Sequence, residues 1–213
     1  MLQKLKNNKQ LIYSIIPFTT IIIIITSKII TGKELIMDKF AHDILVKQLR
    51  SPFMTTIMKA ITKLSDTTYI IIIAIILSLL FLFKWKEKNI AKLIPCSLLL
   101  VTIINNTLKV IFQRERPLGH RLIEITGYSF PSGHAMASMA FYGLLIYIIY
   151  HKVLNKSLRN ILISINIIII LLIGISRVYL GVHYLSDIIV GYSISIIYLL
   201  LLSKILKKFK IFP

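Results

Sequence analysis

Apolar residues in this chain run in long uncharged blocks instead of alternating with polar ones. The blocks recur six times, over about 11–30, 67–83, 93–112, 134–150, 160–176 and 187–203, with Lys28, Lys109 and Asp187 the charges near their ends. Isoleucine runs such as Ile21–Ile25 and Ile167–Ile170 lie inside them. A helix needs about 20 predominantly apolar residues to cross the hydrocarbon core of a bilayer, and the blocks are of that scale. Several are uncharged for only sixteen or seventeen residues, so the helices must extend into polar flanks. A single block would fit a buried core helix, but six in 213 residues do not. The pattern predicts an all-α integral membrane protein with six transmembrane helices. No internal repeat, linker or low-complexity segment beyond the isoleucine bias interrupts it, so residues 1–213 read as one domain.

The distribution of charge orients those spans. The formal net charge is +18, which on a soluble face would indicate nucleic acid. Here the basic residues cluster at the termini and in the even-numbered gaps. Lys4, Lys6 and Lys9 precede the first block, and Lys84, Lys86, Lys88 and Lys92 lie between the second and third. Lys152, Lys156 and Arg159 lie between the fourth and fifth, and Lys204, Lys207, Lys208 and Lys210 follow the last. Against these fourteen basic residues, Glu87 is the only acidic one in the same segments. The positive-inside bias then places both termini in the cytoplasm and the odd-numbered gaps outside the cell membrane. The expected partner is the lipid bilayer, not nucleic acid. The first block is too long for a signal-peptide core and no small-x-small cleavage site follows it, so it reads as a retained helix.

The first outer gap, Thr31 to Asp66, carries two apolar rows at helical spacing: Phe40, Ile44, Leu45, Leu49, then Phe53, Ile57, Ile61, Leu64. Pro52 separates them, which predicts two short amphipathic helices at the outer interface. His42-Asp43 reads there as a solvated surface pair. Cys96, alone within the third span, has no partner for a disulfide or a metal site and reads as a packing residue. Gly133, Ala137, Ala140 and Gly143 would let the fourth span approach a neighbour closely. Gly174, Gly181 and Gly191 would do the same or permit turns.

Three separated blocks of chemistry fall on the outward side. The first is Lys109 with Arg116-Pro117. Their spacing of seven is two helical turns, nearly one face, and Pro117 is placed to stop the helix. The second is Pro131-Ser132-Gly133-His134, immediately before an apolar block. The third is Ser176-Arg177 with His183 and Asp187, the last two placed a helical turn apart. Each has a plain structural reading. Lys109 can snorkel to the interface, Ser132 can cap a helix, and Asp187 can sit at a helix N-terminus for its dipole. Together they offer more. Lys109, Arg116 and Arg177 can hold phosphoryl oxygens, Arg177 through a planar fork. Backbone N–H groups of Ser132 and Gly133 at a helix start can bind an anion. Asp187 can accept from one ring nitrogen of His183 and leave the other with a lone pair, the arrangement of an activated nucleophile. His134 is placed for general acid work. No set of carboxylates, histidines or cysteines has metal-ligand spacing.

The pattern Lys-x6-Arg-Pro, Pro-Ser-Gly-His and Ser-Arg-x5-His-x3-Asp resembles the type 2 phosphatidic acid phosphatase (PAP2) superfamily, which also includes vanadium haloperoxidases. The motifs span Lys109 to Asp187 with no signature residue missing. The resemblance implies a six-transmembrane-helix bundle of that type and a metal-independent lipid phosphatase without a cofactor. It implies His183 as the nucleophile forming a phosphohistidine, oriented by Asp187, and His134 as the acid for the leaving oxygen. Lys109, Arg116, Ser132, Gly133 and Arg177 would bind phosphate. The substrate class it implies is a lipid phosphate: undecaprenyl pyrophosphate, phosphatidylglycerol phosphate or phosphatidic acid. An outward site favours the first of these. A lipid phosphotransferase using the same site is the alternative. The sequence does not specify an oligomeric state.

Overall fold

The computed structural model of the chain describes residues 2–33, 35–209 and 211, with side chains from Lys9 onward. Lys210 and the side chains of Lys4 and Lys6, counted in the charge argument, lie outside the described residues. In chain order the helices are α1 (Leu2–Ile30), α2 (Ile36–His42), α3 (Pro52–Lys63), α4 (Thr67–Leu79), α5 (Lys88–Phe112), α6 (Gly133–Lys152), α7 (Lys156–Tyr179) and α8 (Leu185–Lys208). No strand occurs among the described residues. Two helices widen at their C-terminal ends into turns with five-residue hydrogen bonds. Leu49 N–H donates to Ile44 after α2, and Trp85 N–H to Leu80 after α4. With that extension, six helices among the described residues are long and apolar enough to span a bilayer.

Local chemistry sets the helix boundaries. Ser51 caps α3 by accepting from Met54 N–H at 3.2 Å, with Pro52 in the first turn, where its missing N–H costs nothing. Asn155 caps α7 through Leu158 N–H at 3.0 Å. Spans three and five begin in lysine flanks, at Lys88 and Lys156, as their short uncharged runs require. The two amphipathic helices expected between the first spans are α2 and α3, separated just before Pro52.

α6 lies at the centre, against α5, α7 and α8, while α1 packs on α8, α4 on α5 and α3 on α7. Ile90, Ile94, Phe141, Leu144 and Ile173 fill the main core. Small residues permit the closest contacts. A side chain at Gly191 of α8 would come within 3.2 Å of the Ser132 carbonyl oxygen at the start of α6. Gly143 lies under Leu199 and Gly174 under the Tyr192 hydroxyl. Cys96 differs from its sequence reading: it is exposed on the outer face of α5, because Ile90, Ile94 and Leu98 take the inward positions. Outward faces remain apolar, as at Ile72, Ile75 and Ile76 of α4, which suits hydrocarbon and not water.

Candidate active site

The three sequence blocks meet at one end of the bundle, where the interfacial α2 and α3 also lie. The turn between α7 and α8 carries His183. Arg50, between α2 and α3, fixes that turn by donating to the Tyr179 carbonyl at 2.7 Å and to the His120 carbonyl at 2.7 Å. Gly181 makes the turn possible. Its φ is +73°, and a Cβ there would lie 2.3 Å from the His120 carbonyl oxygen. His183 therefore precedes α8 and is not part of it, while Asp187 sits in the first turn of α8.

The pair still meets. His183 Nδ1 lies 3.2 Å from Asp187 Oδ2, which also accepts from Tyr184 N–H at 3.0 Å. Asp187 thus caps its helix and orients the imidazole together. Both side chains are buried. A carboxylate facing Nδ1 assigns the proton to that nitrogen and leaves the lone pair on Nε2. Arg116 Nη1 stands 3.2 Å from Nε2. Burial lowers the His183 pKa from the ordinary histidine value to about 4, Asp187 opposes this, and Arg177 and Arg116 add to it. The imidazole is neutral at physiological pH, as a nucleophile requires.

Arg116 is the cation at this nitrogen, and Arg177 acts on the ring electrostatically. α5 ends at Phe112, where Gln113 adopts a left-handed conformation, φ 44°, and returns its N–H to the Lys109 carbonyl at 3.0 Å. The helix therefore stops well before Pro117, and Arg116 lies on the following loop. Lys109 and Arg116 do not share a helix face as their spacing predicted. They converge because the loop folds back: both donate to the Tyr128 carbonyl, Arg116 Nη2 at 3.0 Å. Arg116 is further held by the Gly127 and Val182 carbonyls at 2.8 and 2.9 Å. Arg177 is 1% exposed. Its Nη1 donates to Thr62 of α3 at 2.7 Å, but Nε and Nη2 have no hydrogen-bond partner among the described residues. Leaving a buried donor unpaired costs about 1–3 kcal/mol, and an anion in the site would satisfy both.

Ser132 caps α6 through Ala135 N–H at 3.4 Å, and its own N–H is not the free anion donor its place at a helix start indicated, because it donates to the Asp187 carbonyl at 3.2 Å and ties α6 to α8. Gly133 begins α6, packed against Asn105 of α5. His134, in the first turn, is half-buried in the electrostatic field of Arg177, His183, Arg116 and Lys109, and its carbonyl accepts from Ser65 at 3.0 Å.

Several residues that sequence reasoning passed over complete the site. Arg114 donates to Asp187 Oδ1 at 2.6 Å and to Asp38 Oδ2 at 3.0 Å. Four cations (Lys109, Arg114, Arg116, Arg177) thus share this end of the bundle with the carboxylates Asp38 and Asp187, and Asp66 acts on Arg177. A cavity of about 510 Å³ opens onto His183, walled by α2, the end of α1, Arg114, Pro117 and Tyr184. His42 lines it, half-buried with its ring 5.3 Å from that of His120, because α2 packs over the loop that carries His120. It is not the freely solvated residue its sequence context indicated. No cluster of three or more His, Cys, Asp or Glu forms among the described residues.

Residues 90–211 match the PAP2 superfamily. The chain belongs to that superfamily. It is 29% identical over 167 residues to phosphatidylglycerophosphatase B of Bacillus subtilis (strain 168), covering 77% of this chain and 81% of that one. Its structure superimposes on the crystal structure of a transmembrane PAP2-type phosphatidylglycerolphosphate phosphatase from Bacillus subtilis with a TM-score of 0.83. That match has 25% identity and covers 93% of this chain and 98% of the other. Aquifex aeolicus LpxE shares the fold, with a TM-score of 0.60 and 22% identity over 80% of this chain and 99% of that one. The chain is a multi-pass membrane lipid phosphatase of the PAP2 type, with a lipid phosphate as its substrate class.

Proposed function

We propose that this single-domain chain (1–213) hydrolyses a lipid phosphate or diphosphate at the outer face of the cell membrane, through a phosphohistidine on His183 and without a metal ion. The observation that carries this reading is the His183 ring, with Nδ1 on Asp187 and Nε2 beside Arg116. In the first step the Nε2 lone pair attacks phosphorus, the Nε2–P bond forms and the bond to the leaving oxygen breaks. His134 delivers a proton to that oxygen. Lys109, Arg116, Arg177, Ser132 through its hydroxyl and Gly133 through its N–H hold the three phosphoryl oxygens as charge develops. Water then cleaves the N–P bond and releases phosphate. The lysine placement supports an outward site, with both termini in the cytoplasm.

Two substrates lead within this class. The B. subtilis relative is named for phosphatidylglycerol phosphate, and an outward site suits undecaprenyl pyrophosphate. Purified protein in EDTA, offered both lipids and phosphatidic acid, is expected to release inorganic phosphate at undiminished rate. Release from none of them, or a strict requirement for a divalent ion, would reject the proposal. Transfer to an added acceptor lipid in place of release would identify the phosphotransferase.

A further inference from the structure

We infer that Arg114 and Asp38 form a positioning device for the His183–Asp187 pair, in which one guanidinium bridges the catalytic carboxylate to a buried carboxylate on the interfacial helix α2. The inference rests on the reading of His183 as nucleophile and assigns to α2 a part in orienting it.

The geometry separates Arg114 from the phosphate-binding cations. Asp187 Oδ2 is committed to His183 Nδ1 and Tyr184 N–H, and Oδ1 is held by Arg114 Nη1 at 2.6 Å. Arg114 Nη2 turns to Asp38 Oδ2 at 3.0 Å. Asp38 also accepts from Ser186 N–H at 2.7 Å and from the Ser186 hydroxyl at 2.7 Å. The Tyr184 ring lies under the guanidinium, 3.9 Å away. Nη1 is therefore spent on Asp187 and on the Ser186 hydroxyl at 2.7 Å, Nη2 gives an N–H to Asp38, and the fork is fixed at both ends and by the ring beneath it. Asp187 and Asp38 are 0% and 8% exposed, and the Arg114 side chain 17%.

This arrangement supplies what the His183 contact alone cannot. A carboxylate torsion is broad and two-fold, so an Asp187 held on one oxygen would rock and let the imidazole follow. Arginine suits the task because its rigid fork can serve two carboxylates at once, whereas the lysine ammonium is a point charge on a flexible stem. Three elements meet here: α2 through Asp38, the loop after α5 through Arg114, and the start of α8 through Ser186 and Asp187. The other titratable and charged groups acting on the pair are Arg116, 3.2 Å from Nε2, with Arg177, Lys109 and His134.

The test reads the ring directly. Protein labelled with ¹⁵N-histidine in detergent micelles reports the His183 tautomer and titration midpoint, with the signal assigned by its loss in His183→Asn. Wild type is expected to hold the proton on Nδ1 between about pH 5 and 8. Arg114→Met should mix the tautomers and raise the midpoint by about one unit, since two carboxylates are left beside the ring without their cation. Its kcat should fall by about 10²-fold at unchanged KM, short of the ~10⁴-fold loss for a tautomer fixed wrongly. Arg114→Met with Asp38→Asn should recover part of both signals, because the unpaired second charge is gone. Arg114→Lys should fall between wild type and Arg114→Met, and it carries the test if Arg114→Met does not fold. A wild-type tautomer and midpoint in Arg114→Met and Arg114→Lys would overturn the inference whatever the activity. Because the signal needs no turnover, the test stands even if His183→Asn stays active, a result that would reject the phosphohistidine alone.

Discussion

α6 carries a histidine at each end, and the two ends of the bundle treat their charges in opposite ways. His134 opens the helix among Arg177, His183, Arg116 and Lys109. His151 closes it against Tyr147 and Tyr150, with ring centroids 4.6 and 5.3 Å away. Around His134 the charges are buried and bonded, with Asp187 fully enclosed and Arg116, Arg177 and His183 nearly so. At the other end the lysines lie near the surface, where Lys152 pairs with Glu87, both more than a third exposed. Desolvating an ion costs several kcal/mol even after relaxation, so the first arrangement persists only with dense hydrogen bonding, while the second costs little and holds little. Under the proposal the lysine-rich end orients the chain in the bilayer, whereas the enclosed end binds the phosphoryl group.

The comparison can be broken at its chemical pole first. A lipid monoester expels an alkoxide whose conjugate acid is about as weak as water, pKa ~16, and needs a proton in the transition state. A lipid diphosphate expels a lipid phosphate of pKa about 6 and departs largely unassisted. His134→Ala is expected to cut kcat on phosphatidic acid by about 10²–10⁴-fold while affecting undecaprenyl pyrophosphate far less. His151→Ala should leave both rates unchanged. Equal losses on both lipids in His134→Ala would mean that His134 binds phosphate and does not serve as the acid.

A stability contrast sharpens the same point. Asp38→Ala strands Arg114 in the enclosed end and should cost about 3–5 kcal/mol, the usual penalty for removing one partner of a buried pair. Glu87→Ala removes a partner at the exposed end and should cost about 0–1 kcal/mol. Thermal unfolding of both variants in one detergent checks the ratio. Similar losses would remove the distinction between the two ends.

Much of this was legible in the sequence, and what was missed has a common cause. Hydrophobic block length is a local property, so six spans and the two interfacial helices broken at Pro52 could be read directly. The blocks around Lys109, His134 and His183 were legible because each places its chemistry within a few residues. Spacing alone misled for Lys109 and Arg116, since α5 ends at Phe112 and a loop, not a helix face, brings them together. Asp38, Thr62 and Arg50 were invisible because their partners lie far along the chain: Asp38 meets Ser186, Thr62 meets Arg177, and Arg50 meets Tyr179. Arg114 sat inside the motif region, yet only folding shows that it serves carboxylates. Cys96 and His42 were misjudged for a related reason, since neither side of a span nor the cover given by α2 is written in local composition.

The most direct test of the account is capture of the phosphoryl group on the protein. Wild type mixed with ³²P-labelled phosphatidic acid and quenched in alkali within one turnover should carry label that survives base and is lost in acid, as a phosphohistidine does. His183→Ala, confirmed folded, should carry none and release no phosphate. Label or turnover persisting in His183→Ala would contradict the assignment of His183 as the nucleophile.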